Sequence, residues 1–402
     1  MIDERTARVY EGVEREVNRK TYPESFPALP EVPVGRYTDP QFYDLEMKHF
    51  WRRTWLHAGH VSQIPEPGSF KLFSHLGLSI IISRDSEGEI HAFHNVCRHR
   101  GAALVTASQG TTRRFICPYH SWSYGLDGRL LGVPEERNFA CINKAERPLV
   151  QVRCETMRGM IFVNLDNNAL PLTEYFAATE RELGDFPLEK MIVKDVITIE
   201  MGCNWKAAYD NFLEIYHVNT VHAKSIAPFL DSRSFLISLY KHGHARFATR
   251  KRGASTIFGT DLEIPEGPSA LFKDHTIGLP MFPNNFIAID PVAFGWQSWW
   301  PTSLGNSVME FTLMGWENQS GVDDSPFWAD MNKQVHAIAG EDLHLFGDLQ
   351  RNLESGVLKG VLMGYQEQAL YWYQEEIDRQ IGIENIPEHL RIQQVLAAVA
   401  QD

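Results

Sequence analysis

Trp205-Lys-Ala-Ala-Tyr-Asp210-Asn211-Phe-Leu-Glu214-Ile-Tyr216-His217-Val-Asn-Thr-Val-His222 is the stretch around which the chain is organised. Its first part has helical character. Asn211, Glu214 and His217 are spaced by threes, which places them near one face of a helix. His222 leaves that face, because five residues at about 3.6 per turn carry it well round. If both imidazoles bind one metal, the helix must distort or end between them. Asn219 and Thr220, poor helix formers, sit where it can. Two histidines plus one distant carboxylate are the ligand set of mononuclear iron that activates oxygen, with coordination positions left open. An isolated H-x4-H pair is more often two unrelated histidines, but a second constellation upstream changes that balance.

That constellation is Cys97-Arg-His99-Arg-Gly-Ala and Cys117-Pro-Tyr-His120-Ser-Trp122, a C-x-H pair and a C-x2-H pair seventeen residues apart. Zinc modules usually pair like with like. Here each loop supplies one cysteine and one histidine. This suits a [2Fe–2S] cluster with both thiolates on one iron and both imidazoles on the other, a substitution that raises its potential. Gly101, Pro118, Gly125 and Gly128 are places for tight loops around it. A structural zinc site is the competing reading. Cys141, Cys154 and Cys203, the remaining three of five cysteines, have no such partners and read as ordinary buried thiols.

Composition sets the outer bounds. The chain has 402 residues, 44% hydrophobic and 22% charged, enough for two or three soluble domains. A net charge of −13 argues against nucleic acid or an anionic membrane as partner. No apolar run reaches membrane-span length, and Met1-Ile-Asp-Glu-Arg does not read as a signal peptide. Five cysteines make no disulfide framework, so the expected location is cytoplasmic.

In chain order, residues 1–57 read as an N-terminal arm and helices packing on the catalytic domain. Asp39-Pro40 opens an amphipathic helix over 39–57. Residues 58–165 carry short β-rich runs separated by Gly and Asp turns and read as an all-β domain. Residues 166–402 form a third region. It has a helical part at 170–190, a strand at 192–201, the organising stretch, several strands in 235–317, a long helix over 325–356 and a last helix at 361–380.

Cys97-x-His99-Arg-Gly-Ala, Cys117-Pro-Tyr-His120-Ser-Trp-x-Tyr and Leu126-Asp-Gly128 resemble the Rieske domain of Rieske non-heme iron oxygenases. Asn204-Trp205-Lys206, Asp210-Asn211-Phe and Tyr216-His217-x4-His222 resemble the catalytic domain of their α subunits, the aromatic ring-hydroxylating dioxygenase family. The resemblance implies an α+β fold: an all-β, sandwich-like Rieske [2Fe–2S] domain and a catalytic domain with an antiparallel sheet flanked by helices. It implies Cys97, His99, Cys117 and His120 as cluster ligands, and His217 and His222 as ligands of a mononuclear Fe(II). The third iron ligand of the family lies far downstream on a helix carrying Glu-Asp and, further on, Gln. Glu341-Asp342 and Gln350 fit that, which makes Asp342 the candidate, with Asp348 and Asp324 as weaker alternatives.

Many ring-hydroxylating members carry an aspartate three residues before the first iron histidine, bridging to a cluster histidine of the neighbouring subunit. This chain has Glu214 there, as in members resembling carnitine and other amine monooxygenases. Asp210 does not hold the bridging position and reads as local structure. The resemblance further implies a terminal oxygenase using O2 on a hydrophobic, aromatic small molecule, by dioxygenation or by monooxygenation and dealkylation, with quaternary-amine oxidation as the alternative. NAD(P)H would act only through a separate ferredoxin or flavin reductase, since the chain has no Gly-rich dinucleotide fingerprint. A homotrimer is expected, with or without a β subunit. Asn211 is expected near the iron and Phe212 near the pocket, with Phe229, Phe286, Trp296 and Trp299 as candidate lining. An electron carrier or a zinc protein without oxygenase activity is the reading from outside the class; the second histidine pair argues against both.

Overall fold

The computed structural model describes residues 4–253, 270–291, 293–317 and 326–401. The chain divides into two compact units, Arg52–Leu172 and the combination of Met1–Trp51 with Thr173–Asp402. The divisions thus fall at Trp51/Arg52 and Leu172/Thr173 rather than at 57/58 and 165/166. Strand pairing explains the first. Leu56–His60 is already a strand, hydrogen-bonded to Met160–Asn164. At the other end, the Leu172 N–H donates to Glu155 at 2.9 Å and the Trp55 indole donates to the Leu170 carbonyl at 3.0 Å.

The Arg52–Leu172 unit is built on a seven-stranded antiparallel sheet. Its order is Leu56–His60, Met160–Asn164, Gln151–Met157, Ile90–His94, Ile80–Arg84, Ser69–Phe73 and Gln109–Thr111. A second, three-stranded sheet is formed by Phe115–Ile116, Ser123–Tyr124 and Leu130–Gly132. Cys97 follows the sheet strand Ile90–His94, whereas Cys117 opens the connection inside the small sheet. Two β layers therefore each present one loop.

The other unit holds a seven-stranded antiparallel sheet in the order Met191–Glu200, Asn306–Trp316, Ala293–Ser303, Asn285–Ile289, His275–Met281, Ala245–Arg250 and Leu236–Leu239. Its helices include Glu4–Asn18, Phe327–Glu354 and Gln368–Ile381. The Asp39-Pro40 signal does open a helix: the Asp39 carboxylate accepts from the Gln41 N–H at 2.7 Å. That helix is shorter than 39–57. It runs over Pro40–Leu45 and ends in a wide π turn, Glu46–Phe50. The turn carries Glu46, which ion-pairs with Lys206 at 2.7 Å with both side chains fully buried.

Phe327–Glu354 packs through Met331, Val335, Ala339, Asp342, Phe346, Gln350 and Leu353. These recur every three or four residues, the period of one helix face. Asp342 is therefore the acidic residue of a core-facing stripe. Asp348 lies on the opposite side, exposed and paired with Arg351. Asp324 lies outside the described residues.

Candidate active site

The organising stretch does not form one helix. Asn204 caps a short helix, Trp205–Asp210, by accepting from the Lys206 N–H at 3.0 Å. The chain then turns through residues 211–217 before a second short helix, Val218–Val221. The break falls earlier than the Asn219-Thr220 position that propensity favours. Its cause is Glu214, whose Oε2 accepts the backbone N–H groups of Tyr216 and His217 (3.2 Å for the latter). A side chain that folds back onto nearby N–H groups competes with the helical pattern. Its Oε1 takes up the Nδ1 of His217.

His222 is fixed in the same way by a different carboxylate. Its Nδ1 lies 2.6 Å from Glu341 Oε2, which also accepts from the Ser225 hydroxyl at 2.5 Å. Each ring thus has one nitrogen committed and turns Nε2 towards Asp342, 3.9 Å from His217 and 3.3 Å from His222. His217, His222 and Asp342 bring their ligand atoms within 4.8 Å of one another. Cis ligands each about 2.1 Å from a metal stand about 3 Å apart, so small side-chain adjustments close the set. Asp342 Oδ1 is buried and has no hydrogen-bond partner. Burial works against protonation of His222, but the nearby carboxylates of Asp342 and Glu341 outweigh it and raise the pKa. A pocket that draws a proton onto its imidazole is a pocket that attracts a cation, so the donor set fits a metal ion.

Gln350, two turns after Asp342, accepts from the Asn204 N–H at 2.8 Å. This ties the aspartate-bearing helix to the start of the segment that carries the histidines. Asp210 stays outside the triad; it is half-buried and accepts from the Tyr37 hydroxyl at 2.7 Å.

The other constellation is equally regular. In the first loop the Cys97 N–H donates to Ala102 O and the Gly101 N–H to Cys97 O (2.9 and 3.0 Å). In the second, the Cys117 N–H donates to Trp122 O and the Ser121 N–H to Cys117 O (2.8 and 2.9 Å). Gly101 at φ +81 and Ser121 at φ +58 make the same left-handed turn, four residues after each cysteine. Asn95 braces the first loop, donating to Val105 O at 2.7 Å and accepting from the Leu104 N–H at 2.8 Å. Cys97 and Cys117 are buried, and the His99 and His120 ring centroids are 4.6 Å apart. The Nδ1 atoms of both histidines are buried without a partner. Desolvation, then the charges of His120 and Arg100, keep the His99 pKa below the usual imidazole value. Two buried thiols and two unpartnered, buried imidazole nitrogens fit a mixed-ligand cluster. Among the other thiols, Cys203 is buried and Cys154 half-buried. Cys141 is exposed at a turn with φ +56, so the expectation of a buried thiol fails there.

Beside the triad lies a cavity of about 220 Å³, lined among others by Asn211, Phe212 and Phe286. Trp296 and Trp299 do not line it; both are fully buried in packing, and the Trp296 indole donates to Asn285 at 3.0 Å. Phe229 is also absent, and its neighbour Leu230 lines instead. Phe235, Phe247 and Phe311 are lining residues that the sequence reading missed. The sheet side is contributed by alternate residues, Phe247 and Thr249, Thr276 and Gly278, Phe286, Ala288 and Asp290, Gly295 and Gln297, Met309 and Phe311. The period-two pattern was available, but both faces of these strands are apolar, so alternation alone does not say which face meets the cavity.

Two family profiles match the chain: "Rieske [2Fe-2S] domain" over residues 54–146 and "Ring hydroxylating alpha subunit (catalytic domain)" over residues 188–383. The chain belongs to the Rieske non-heme iron oxygenases, with a [2Fe–2S] cluster and a mononuclear iron as their two metal centres. It is 33% identical over 200 residues to the glycine betaine monooxygenase oxygenase subunit of Pseudomonas aeruginosa, covering 50% of this chain and 46% of that one. It is 35% identical over 196 residues to the benzene 1,2-dioxygenase subunit alpha of Pseudomonas putida, covering 46% and 42%. The chain thus spans about half the length of the curated relatives it matches. Among solved structures, a quaternary ammonium Rieske monooxygenase shares its fold with a TM-score of 0.77 at 20% identity, over 90% of this chain and 99% of that one. Naphthalene 1,2-dioxygenase with indole bound in the active site gives 0.71 at 22%, over 93% and 99%. Among the described residues no helix is long and apolar enough to cross a membrane.

Proposed function

We propose that this chain is the terminal oxygenase component of a cytoplasmic system that hydroxylates a hydrophobic, aromatic small molecule with O2. The observation that carries the reading is the triad of His217, His222 and Asp342 on the wall of a largely apolar cavity. In this reading Cys97, His99, Cys117 and His120 hold the [2Fe–2S] cluster, and the triad holds Fe(II). When bound, the cluster would supply electrons one at a time and the iron would supply oxygen activation beside the substrate. Everything else is done by the protein. Glu214 and Glu341 fix the two imidazoles by their Nδ1 atoms and so aim the Nε2 lone pairs. Phe212, Phe235, Phe247, Phe286 and Phe311 exclude water and seat the substrate. Asn211, on the same wall, offers an amide towards the reacting region.

Electrons come from a ferredoxin or flavin reductase that spends NAD(P)H. The working unit is a homotrimer, with or without a β subunit, in which Glu214 also reaches a cluster histidine of a neighbouring copy.

A second reading, oxidation of a quaternary amine, draws on Glu214 and on the betaine-oxidising relative. The charge balance of the cavity favours the first reading. Apart from Asp342 and Glu214, its acidic lining residue is Asp290, which is held 3.5 Å from Lys251. A desolvated cation without a free counter-charge costs several kcal/mol, more than the roughly 0.5–2 kcal/mol that ring faces return. The test is turnover of a panel of aromatic compounds and quaternary amines with a generic reductase under ¹⁸O2. Product mass carrying ¹⁸O from an aromatic compound supports the reading, and oxidation of the quaternary amines only, with the label in the aldehyde they release, transfers it to the second.

A further inference from the structure

Strand register shows how the sheet side of the cavity is laid out. Phe247, Gly278, Ala288 and Gly295 stand in one row across four strands. Gly278, Ala288 and Gly295 make most of this row a floor of small residues, with Phe247 at its end. A Cβ at Gly278 would stand 2.9 Å from the Phe286 ring, and one at Gly295 would run into the Phe311 ring, so both rings lie down on the floor. The row on one side is Phe286, Gln297 and Phe311, with Gln297 between the two phenyl rings. The row on the other side holds the cross-strand pair Thr249 and Thr276. Asp290, directly after Ile289, which pairs with Ile277, comes beside Thr276.

Gln297 is 6% exposed and Thr276 9% exposed, yet Gln297 Oε1 and Thr276 Oγ1 have no hydrogen-bond partner in the protein. Each such buried atom costs about 1–3 kcal/mol when it stays unpaired. Leu and Val would fill the same volumes without that cost. Both atoms are oxygens with free lone pairs, and the nearby Asp290 carboxylate is also an acceptor. Its charge is offset by Lys251 at 3.5 Å, so this end of the cavity suits a neutral donor better than a cation.

We propose that Gln297 and Thr276 read hydrogen-bond donors on the substrate. The substrate is then an apolar, ring-sized molecule carrying N–H or O–H groups. It is neither a pure hydrocarbon nor a quaternary ammonium ion, which has no N–H to give. The inference rests on the reading of this cavity as the oxygenation site and narrows its substrate class.

The test is calorimetric titration of the iron-loaded full-length protein with indole, N-methylindole and benzyltrimethylammonium. Indole binds at least about ten-fold tighter than N-methylindole, as expected for one donor meeting an otherwise unpaired buried acceptor. Benzyltrimethylammonium does not bind. Gln297→Leu and Thr276→Val each narrow the indole preference, and the double variant abolishes it, which separates hydrogen bonding from the bulk of the methyl group. If Gln297→Leu fails to fold, as judged by melting and by the visible spectrum of the cluster, Gln297→Met replaces it. Equal binding of the two indoles, a preference that survives in the double variant, preferred binding of the quaternary ammonium, or binding of none of the three overturns the proposal. A donor preference without oxygenated product leaves the subsite standing and fails the oxygenase reading. Donor-free substrates oxidised as readily as indole do the reverse.

Discussion

His222 is held at both ends of its ring by consecutive residues of one helix: Nδ1 lies 2.6 Å from Glu341, and Nε2 lies 3.3 Å from Asp342. Glu341 therefore positions the ring that Asp342 approaches. Outer-shell carboxylates of this kind typically change metal affinity ten- to a hundred-fold. Glu341→Ala should weaken retention of the mononuclear iron by about that factor and leave the cluster spectrum intact, with Glu341→Gln intermediate. Iron retained after graded chelation, read beside the visible spectrum, checks this. Unchanged retention in Glu341→Ala would show that Ser225 and packing hold the ring without it.

Glu214 serves His217 as Glu341 serves His222, but it also accepts two backbone N–H groups. Its Oε1 keeps a further lone pair for a donor from outside. Glu214→Gln is expected to retain both metals and cluster reduction yet lose nearly all turnover, and Glu214→Asp to fall between because it keeps the charge with less reach. Single-turnover oxidation of the reduced cluster, with substrate and O2 present, measures it. Wild-type rates in the Gln variant, or full activity in a strictly monomeric preparation, would contradict the relay.

Tyr124 lies with its hydroxyl 3.4 Å from Cys97 Sγ while accepting the Arg98 N–H at 3.0 Å. A donor to a cluster thiolate stabilises the reduced form. Removing about 1 kcal/mol of such bonding moves a one-electron potential by roughly 40 mV. Tyr124→Phe should lower the cluster potential by about that amount, as read by redox titration of the visible spectrum. An unmoved or raised potential would remove the hydroxyl from the electron-transfer account.

Asp210 tests the buried charges behind the site. Burial lifts its carboxyl from 3.8 to about 7, against the opposing effects of the Tyr37 hydrogen bond and Lys206. A carboxyl whose folded pKa is raised binds its proton more tightly in the folded state. Its penalty is absent below about pH 4, grows as pH rises from about 4 to 7, and is complete above that. Asp210→Asn, which can still accept from Tyr37, should therefore gain stability over the wild type across that window. The plateau is of order 2–4 kcal/mol near pH 8. Denaturant unfolding at pH 4.5, 6 and 8 reads the difference, and a pH-independent gap would contradict it.

The legible part of the candidate site was the set of side chains that the fold brings together. Mixed Cys–His pairs, the H-x4-H pair and the Glu-Asp on a periodic helix are one-dimensional signals, and the helix stripe that buries Asp342 while exposing Asp348 follows from its 3.6-residue period. The break at 211–217 was not legible at its true place, because propensity marks Asn219 and Thr220 while a side-chain carboxylate three residues from His217 decides it. Glu341 was visible only as the neighbour of Asp342; its contact with His222 joins residues 119 apart in sequence. The pocket wall was harder still. Trp296 and Gln297 are adjacent on one strand and face opposite ways, and with both faces buried only the strand register separates packing from lining.

The central claim is that one chain carries two metal centres with separate ligand sets. Iron, zinc and acid-labile sulfide per chain, measured on the wild type and on His222→Ala, test it most directly. The account predicts three irons and two sulfides in the wild type, since a [2Fe–2S] cluster and one mononuclear iron add to that count. It predicts two irons, two sulfides and an unchanged visible spectrum in His222→Ala. Two irons in both proteins, zinc in place of iron, or loss of the spectrum in a folded His222→Ala would contradict it.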